Sequence, residues 1–324
     1  MIIPKFIKGN DAIGVVALSS SIKNKEEDYN TSKEHFIKEG YKIIESNNLY
    51  TGTYVAGSPD IRAKELYEMY EDSNINAIAI ARGGDFLIDM LDYFDFDIVT
   101  KYPKWIWGSS DPTSLLFIIT TKYNICTIYS PCNMTGFDTK KLYPYQENFM
   151  NIIKGNLVKQ YRNDYKEIEP FSNKFTKENE WINLYEDVDT TGTLLGGCIE
   201  VLKDIIGTKY DNVNNFIDIH KEGIIWYFDV FNMSSENLYK TLLQFKYAGW
   251  FKNTNLIVFG PVCFPSTEYD LDYIDMIKKV DIGKPIIYNF DLGHVKPSFT
   301  MINGMKVRII NNKNESSMEY VERY

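Results

Sequence analysis

Short apolar runs alternate with segments of helical spacing in the N-terminal part of the chain. Asp11–Ser19, Asn76–Ala81 and Trp105–Gly108 read as buried strands, and Asn124–Tyr129 has the same character. Glu26–Gly40 lies between two of these strands and has helical spacing, and glycine is favourable at a helix C-terminus. Strands that alternate with helices at this spacing predict βαβ units and a mostly parallel sheet, and therefore an α/β fold.

Local signals add further elements to this first part. Tyr41–Ser46 reads as a short strand, and Phe86–Tyr93 as a helix. Ser58-Pro59 is a helix start, with serine as the cap and proline at the first helical position, and that helix runs towards Asp72.

Three of the predicted strands end in polar or glycine-rich turns. These turns are Ser19–Ser21, Arg82–Asp85 and Ser109–Asp111. Ligands of parallel sheets bind beyond the carboxyl ends of the strands. We therefore expect the three turns to converge on one crevice.

The second half of the chain has a different pattern. Thr191–Gly197 reads as a glycine-rich strand and turn before an apolar helix over Cys198–Ile206, and Gly223–Val230 is an apolar strand. Ser234–Phe245 is predicted as a helix and Met305–Ile310 as a final strand. Two further strands are predicted at Asn255–Phe259 and Pro285–Asn289, and the polar tail from Asn311 is expected to be loosely held.

Residues 152–186 interrupt both patterns, because lysine, asparagine and glutamate are interleaved there with aromatic residues. We interpret this stretch as a connection whose aromatic residues, Trp181 among them, pack on the body of the protein or on a ligand. The predicted domains are therefore 1–150, a connecting segment 151–186, and 187–324.

Composition and charge narrow the class of protein. Hydrophobic residues make up 44% of the 324 residues and the formal net charge is −9, so we expect a globular protein without nucleic acid or an anionic membrane as its main partner. The N-terminus lacks the long apolar core of a signal peptide, and no run reaches transmembrane length. Four scattered cysteines without zinc-site spacing read as buried free thiols: Cys126, Cys132, Cys198 and Cys263. We expect a cytoplasmic protein without a metal site.

Only three histidines are available as general bases. His35 lies among charged residues of a predicted helix and is expected at the surface, while His220 lies in a charged lead-in to a strand. His294 follows a strand, beside Gly293 and close to Asp291. It could serve as a general base or as a capping or packing residue.

Ser110 lies on the predicted strand-to-helix turn, where a serine is exposed above a sheet and faces a helix N-terminus. Ser, Asp and Pro are also common in helix N-capping sequences, so the turn alone leaves both interpretations open. Asp229 is a carboxylate within an apolar strand and needs a partner. If that partner is His294, then Ser110, His294 and Asp229 form a nucleophile, base and orienting acid, with Asp291 as the rival acid.

A series of segments in a fixed order carries a family resemblance. The chain resembles the serine peptidases of the L,D-carboxypeptidase and microcin C immunity protein family, from about Lys8 to Ile310. The matching segments are Ala81-Arg82-Gly83-Gly84-Asp85, Leu91–Phe96, Gly108-Ser109-Ser110-Asp111-Pro112-Thr113, Leu195-Gly196-Gly197, Gly207-Thr208, Trp226-Tyr227-Phe228-Asp229, Ala248-Gly249-Trp250 and Asp291-Leu292-Gly293-His294.

The resemblance implies a fold and a set of site residues. It implies an N-terminal flavodoxin-like parallel-sheet domain, a C-terminal mostly-β (α+β) domain, and an active site in the cleft between them that needs no metal or cofactor. Ser110 falls on the nucleophile, His294 on the base, and the backbone N–H groups of Gly84 and Asp111 near the oxyanion hole. Asp229 matches the family's glutamate and is one methylene shorter, so we expect reduced or retuned activity.

Two substrate classes follow from the resemblance: the L,D amide bond of a murein tetrapeptide, and the amide of a peptide–nucleotide or aminoacyl conjugate. Arg82 and Asp85 resemble the microcin-immunity branch, and Trp181 lies about where that branch stacks a nucleotide base. The alternative is a degenerate member that binds peptide-like ligands without turnover. The resemblance also implies a homodimer.

Overall fold

The computed structural model describes residues 1–321, which divide into two compact units. The first unit comprises Met1–Asn156 together with Thr300–Asn303, and the second comprises Leu157–Phe299 and the chain from Gly304 onward. Residues 157–186, predicted as a connection, therefore belong to the second unit. The return of Thr300–Asn303 to the first unit has no counterpart in the predicted division.

The first unit is built from alternating strands and helices. In chain order they are β1 (Ala12–Val16), α1 (Glu26–Lys38), β2 (Lys42–Glu45), α2 (Pro59–Glu71), β3 (Ile75–Ile80), a 3₁₀ helix (Leu87–Tyr93), α3 (Asp97–Lys101), β4 (Trp105–Gly108), α4 (Thr113–Tyr123), β5 (Thr127–Tyr129) and α5 (Pro144–Ile153). The segment Phe86–Tyr93 is thus helical as predicted, but its turns are of the tighter 3₁₀ type.

The second unit contains further strands and shorter helices. They are β6 (Gln160–Tyr161), β7 (Tyr165–Glu167), β8 (Phe175–Glu178), β9 (Ile182–Asn183), β10 (Val188–Cys198), α6 (Ile199–Leu202), α7 (Val213–Ile219), β11 (Ile224–Asp229), α8 (Ser235–Tyr247), β12 (Thr254–Phe259), α9 (Tyr273–Lys279) and β13 (Ile286–Tyr288). After β14 (Met301–Asn303), which lies in the first unit, the second unit ends with β15 (Lys306–Asn311) and β16 (Ser316–Tyr320).

The first sheet has the strand order β14-β5-β4-β3-β1-β2. Strands β1 to β5 pair in parallel, and β14 pairs antiparallel with β5 at the edge. The order of the parallel strands, 2-1-3-4-5, is that of flavodoxin-like folds, which confirms the predicted fold of this unit. Strand β4 and helix α4 are buried along almost their whole length.

The second sheet is mixed and has the order β6-β16-β15-β10-β11-β12-β13-β9. Its central strands β10 to β13 pair in parallel, and the flanking strands pair antiparallel. A separate antiparallel pair is formed by β7 and β8. The mixture of strands and helices agrees with the predicted α+β character of this part.

Three local predictions differ from the structure. The helix predicted over Cys198–Ile206 is a single turn, α6, after which the chain continues in successive turns. Of the tail predicted to be loosely held from Asn311, residues 316–320 form β16, which pairs with β15 on one side and with β6 on the other, and residues 322–324 lie outside the described residues. His35 is buried rather than solvated, and its Nε2 lies 2.7 Å from the carbonyl oxygen of Thr139.

Candidate active site

Ser110 lies on the sharp turn between β4 and α4, and its backbone is left-handed with φ +66°. Such a φ is costly for a residue with a side chain and is typical of nucleophiles held at strand-to-helix turns. The N–H of Ser110 donates to the hydroxyl of Tyr129 (3.1 Å), and its carbonyl accepts from the N–H of Thr113 (2.9 Å). These bonds fix the turn on both sides of the serine.

Two glycines leave room for this turn. A Cβ at Gly83 would lie 2.9 Å from the Cβ of Ser110, and a Cβ at Gly108 would lie 2.9 Å from the Cβ of Pro112. Both distances are shorter than real side chains allow, so only glycine permits the close approach. The sequence Gly108-Ser109-Ser110-Asp111-Pro112 therefore folds as a tight turn.

The Asp111 side chain is buried and joins the three turns at the carboxyl ends of β1, β3 and β4. Its Oδ2 accepts from the hydroxyl of Ser19 (2.5 Å) and from the N–H of Leu87 (2.9 Å). Burial raises the pKa of this carboxyl, and the hydrogen bond from Ser19 opposes the rise. The N–H of Ser20 also donates to the carbonyl of Gly83 (3.3 Å). The predicted convergence of the three turns is therefore confirmed.

Gly84, Arg82 and Asp85 follow β3 at the same end of the sheet. Gly84 has φ +157°, and a Cβ there would overlap the hydroxyls of Ser19 and Ser20. Arg82 is half-buried and its Nη1 donates to the carbonyl of Ser21 (3.4 Å), whereas Asp85 is exposed. The structure thus brings the proposed oxyanion and substrate-binding residues of the first unit to the turn that carries Ser110.

Asp229 and His294 are in contact in the second unit. Asp229 is the last residue of β11 and is fully buried, and its Oδ2 lies 2.7 Å from Nδ1 of His294. Its Oδ1 accepts from the backbone N–H of His294 (3.2 Å). Gly293 has φ +92°, and a Cβ there would overlap Oδ1 of Asp229. The glycine lets the histidine loop approach the short carboxylate closely.

The surroundings of His294 decide its proton affinity. Its side chain is 13% exposed. Burial disfavours the charged imidazolium, but the charge and hydrogen bond of Asp229, together with the charge of Glu200, outweigh burial and raise the pKa of His294 above its ordinary value of 6.5.

The rival acid, Asp291, is occupied elsewhere. Its Oδ2 accepts from the backbone N–H of Asn163 (2.7 Å) and from the Asn163 side chain (3.0 Å), and its Oδ1 accepts from Asn179. Burial raises the pKa of Asp291, and these hydrogen bonds oppose the rise. Asp229, and not Asp291, therefore contacts the imidazole.

Trp181 is buried within the second unit, with 4% of its surface exposed. Its ring stacks on Phe290 at 4.0 Å between centroids and meets Phe299 edge-on at 5.7 Å. This placement favours the packing interpretation of Trp181 over the ligand-binding one.

Other aromatic residues surround His294. Phe171 belongs to the stretch whose aromatic residues are predicted to pack on the body of the protein or on a ligand, whereas Phe231 and Phe264 are not among the predicted site residues. The ring of Phe231 lies 4.5 Å from the imidazole, and that of Phe171 lies 6.5 Å from it. Phe264 lies 5.2 Å from Phe231, and both Phe171 and Phe264 are about half exposed. Phe171 has φ +62°, a strained conformation for a bulky residue.

The buried carboxylate of Glu167 ties the Phe171 loop to the histidine loop. It accepts from the N–H groups of Phe171 (3.3 Å), Asn173 (2.8 Å) and Lys296 (3.0 Å). No spacing rule in the sequence connects residues so far apart. The hydrogen bonds of Glu167 thus hold Phe171, with its strained backbone, beside His294. A local sequence pattern does not predict such contacts between distant segments.

The described part of the chain has neither a candidate metal site nor a candidate membrane-spanning helix. Within residues 1–321, no group of three or more His, Cys, Asp or Glu side chains is arranged to hold a metal ion. In the same range, no helix has both the length and the apolar character needed to cross a bilayer.

Known proteins resemble this chain along nearly its whole length. The probable murein peptide carboxypeptidase of Bacillus subtilis (strain 168) is 25% identical over 312 residues, which cover 94% of this chain and 90% of that protein. The microcin C7 self-immunity protein MccF of Escherichia coli is 26% identical over 309 residues, covering 88% of this chain and 86% of that protein.

The fold is also shared with solved structures. The microcin C7 self immunity protein MccF in complex with aspartyl sulfamoyl adenosine matches with a TM-score of 0.84 at 21% identity, over 100% of this chain and 99% of that chain. At this identity the match concerns the fold.

Two family models match the chain in the expected order. The LD-carboxypeptidase N-terminal domain matches residues 13–130, and the LD-carboxypeptidase C-terminal domain matches residues 191–309. The first range contains the turn with Ser110, and the second contains Asp229 and His294. The chain therefore belongs to the LD-carboxypeptidase family, whose named relatives support a function of the peptide carboxypeptidase type.

Proposed function

We propose that the protein is a serine carboxypeptidase in which Ser110 is the nucleophile, His294 the general base and Asp229 the orienting acid. The observation that carries this proposal is the buried contact of 2.7 Å between Asp229 and Nδ1 of His294. A carboxylate on Nδ1 fixes the tautomer and stabilises the imidazolium, and leaves Nε2 for proton transfer. The left-handed backbone of Ser110 supports its assignment as nucleophile.

The proposed reaction is acyl transfer in two steps. The Oγ of Ser110 attacks the amide carbonyl carbon while Nε2 of His294 takes the hydroxyl proton, and the backbone N–H groups of Gly84 and Asp111 stabilise the oxyanion. The C–N bond then breaks as His294 gives its proton to the leaving amine. Water then attacks the acyl-serine carbonyl while Nε2 of His294 takes one of its protons, and as the C–Oγ bond breaks His294 returns that proton to Oγ, which releases the acid product and free Ser110.

Arg82 and Asp85 are proposed to bind the substrate. A carboxypeptidase must recognise a terminal carboxylate, and the half-buried guanidinium of Arg82 is a suitable partner because arginine can bind carboxylates through two hydrogen bonds. Asp85 is exposed and could accept from a substrate ammonium group. For Trp181 we propose a packing role, given its stack on Phe290.

The aromatic residues beside His294 favour one of the two substrate classes. Phe171 and Phe264 are about half exposed and lie beside Phe231 and His294, so their rings are suited to pack on a flat or apolar group of the ligand. MccF is solved with an aminoacyl sulfamoyl nucleoside, whereas the Bacillus subtilis relative is named for murein peptide. We therefore propose an aminoacyl or peptidyl conjugate with a planar group as the preferred substrate, and a murein tetrapeptide as the second candidate.

Competition between the two substrates tests the proposal. The wild-type protein would be incubated with aspartyl sulfamoyl adenosine and a murein tetrapeptide, and the products identified by mass spectrometry. We expect free aspartate and sulfamoyl adenosine to form faster than the shortened tripeptide, and neither product with Ser110→Ala. A faster release of the terminal residue from the tetrapeptide would reverse the substrate assignment.

A non-hydrolytic binding protein is the alternative, motivated by the replacement of the family glutamate. The direct contact between Asp229 and His294 speaks for activity, since the orienting interaction is present despite the shorter side chain. Ligand binding by calorimetry without any product would favour the alternative. A homodimer, implied by the resemblance, and a cytoplasmic location, expected from the scattered free cysteines, are further proposals, tested by sedimentation and by cell fractionation.

A further inference from the structure

The carboxylate of Glu200 binds the segment that directly follows Asp229. Its Oε1 accepts from three consecutive backbone N–H groups, those of Phe231 (2.9 Å), Asn232 (3.0 Å) and Met233 (3.0 Å). Its Oε2 accepts from the thiol of Cys198 (3.2 Å). One side chain thus supplies a charged acceptor for a whole turn of backbone.

The position of Glu200 follows from the register of the second sheet. Cys198 ends β10 and lies opposite Asp229, which ends the neighbouring strand β11. Glu200 is two residues beyond Cys198 and reaches across to residues 231–233, two to four residues beyond Asp229. The carboxylate therefore joins the ends of the two central strands at the point where the acid is placed.

The segment 231–233 also contributes an aromatic ring that packs against His294. Phe231, one of the three residues bound by Glu200, packs its ring 4.5 Å from the imidazole of His294. Asp229 thus contacts Nδ1 of the imidazole, and the ring of Phe231 packs against the imidazole ring. Both contacts depend on the backbone conformation of residues 229–233. We propose that Glu200 is a positioning residue for His294, because it fixes this segment through its hydrogen bonds to residues 231–233.

The negative charge of Glu200 acts in the same direction as that of Asp229. Both charges favour the imidazolium, and together they raise the pKa of His294 against the effect of burial. The neighbouring titratable groups are the thiols of Cys198 and Cys263, which lie near Asp229, and the carboxylate of Glu167 at the end of β7, which accepts from the backbone N–H of Lys296 on the histidine loop. The role assigned to Glu200 rests on the proposed function of His294 as the general base.

The chain offers a matched control for this role. Glu236 in α8 is built in the same way: its Oε1 accepts from the N–H groups of Glu268 (3.0 Å) and Tyr269 (3.0 Å) and from the hydroxyl of Thr267 (2.7 Å). It thus fixes a loop of comparable size with a carboxylate, but that loop is not the one that packs on His294.

The first measurement is an NMR titration of the His294 imidazole in isotopically labelled protein, assigned among the three histidines by a His294→Gln variant. Glu200→Gln keeps an oxygen for the N–H groups but removes the charge, and we expect the titration midpoint to fall. Glu200→Ala removes both, and we expect it also to lose the cross-peaks between Phe231 and His294. Glu236→Gln should leave both signals as in wild type.

Kinetics on the same variants provide the second measurement. We expect Glu200→Ala to lower kcat by about 10- to 100-fold, with a much smaller change in KM, because misplaced catalytic groups are costly. Glu200→Gln should move the acid limb of kcat/KM to lower pH with less loss of kcat. Unchanged midpoints and cross-peaks in both Glu200 variants, or an equal shift in Glu236→Gln, would overturn the positioning role. If wild type hydrolyses neither substrate while the NMR changes occur, the proposed function fails and the positioning role stands.

Discussion

At the scale of single residues, Asp229 keeps the contact expected of a longer glutamate. Both of its oxygens reach His294, one the ring nitrogen and one the backbone N–H. The approach is possible because Gly293 has no side chain and adopts φ +92°. The close approach of this loop lets the short side chain of Asp229 reach the imidazole.

Lengthening the acid should therefore not improve activity. We expect Asp229→Glu to lower kcat/KM and to cost about 1–3 kcal/mol of stability, because the extra methylene must enter a fully buried site against Gly293. Asp189→Glu, at an exposed carboxylate paired with Arg308, serves as the control with space for the methylene. Steady-state kinetics and urea unfolding give the two numbers. Faster turnover of Asp229→Glu would mean that the natural contact is too long for catalysis.

The steric effect of a side chain at Gly293 can be measured separately from the cost of its left-handed backbone conformation. Gly293→Ala combines a left-handed φ with an overlap between the new Cβ and Asp229, and we expect a loss of more than about 2 kcal/mol together with most of the activity. Gly207→Ala has a similar φ of +73° with nothing within 4 Å of the new Cβ. It should show only the backbone cost of about 1 kcal/mol. Equal thermal-unfolding midpoints for the two variants would refute the assigned overlap.

The raised pKa of His294 sets the pH dependence. The general base must be neutral, so we expect the acid limb of kcat/KM to have its midpoint above 6.5, with activity falling as the pH is lowered through it. In Asp229→Asn the limb should move to lower pH, because the largest favourable charge is lost, and the rate should fall. The charged histidine stabilises the fold at low pH, and this contribution is lost as pH rises through the folded pKa. A wild-type limb well below 6.5 would contradict this electrostatic description.

At the scale of elements, the turn between β4 and α4 stores strain at the proposed nucleophile. We expect Ser110→Gly to be about 1 kcal/mol more stable than Ser110→Ala, because glycine relieves the φ of +66°. At Ser109 the order should reverse, because its φ is not positive and glycine only adds entropy to the unfolded chain. Chemical denaturation of the four variants gives both comparisons. If alanine were more stable than glycine at position 110, as expected at position 109, Ser110 would not be strained.

The elements themselves were well predicted where periodicity and turn residues agree, as in the strands of the first sheet. The prediction failed where apolar spacing fits more than one structure. Residues 203–206 lie in the predicted helix, but the N–H groups of Asp204 and Ile205 bond to carbonyls three residues back, those of Val201 and Leu202. The helix therefore ends after one turn. The buried position of His35 depends on Thr139, about a hundred residues away, which no local pattern contains.

At the scale of the whole molecule, the chain leaves the second unit once to complete the first sheet. Residues 300–303 return to the first unit, where β14 covers the edge of β5 with Met301 and Ile302 fully buried. Three residues are too short a run to be recognised as a strand from sequence. A division into consecutive ranges, such as 1–150, 151–186 and 187–324, therefore could not include this exchange.

A truncation tests the importance of this return. Residues 1–156 alone should leave the edge of β5 unpaired, and we expect self-association and a loss of about 3 kcal/mol relative to the same fragment carrying residues 299–304 on a flexible linker. A linker segment with Met301 and Ile302 replaced by serine should not rescue it. Sedimentation and urea unfolding report both effects. Equal stability of all three fragments would show that β14 is dispensable.

The candidate site was predicted only in part. Ser110, Asp229 and His294 follow from an ordered series of motifs along the chain, and the contact between Asp229 and His294 agrees with that prediction. Glu200 and Glu167 were missed, and Phe171 was predicted only as a packing or ligand-binding aromatic residue, because their contacts at the site are hydrogen bonds and ring contacts between distant segments. Sequence spacing carries no information on such contacts. Trp181 was considered because it lies about where the microcin-immunity branch stacks a nucleotide base, and its burial follows from packing that only the fold defines.

Covalent labelling of Ser110 tests most directly whether the serine is activated as a nucleophile. Wild type treated with a fluorophosphonate should gain one adduct, mapped by peptide mass spectrometry to Ser110, at a rate that falls by about 100-fold or more in His294→Gln. Ser109→Ala, one residue away, should still be labelled, and Ser110→Ala should not. Labelling of wild type and His294→Gln at equal rates, or no adduct on Ser110 in folded wild type, would contradict the proposed Ser110, His294 and Asp229 triad.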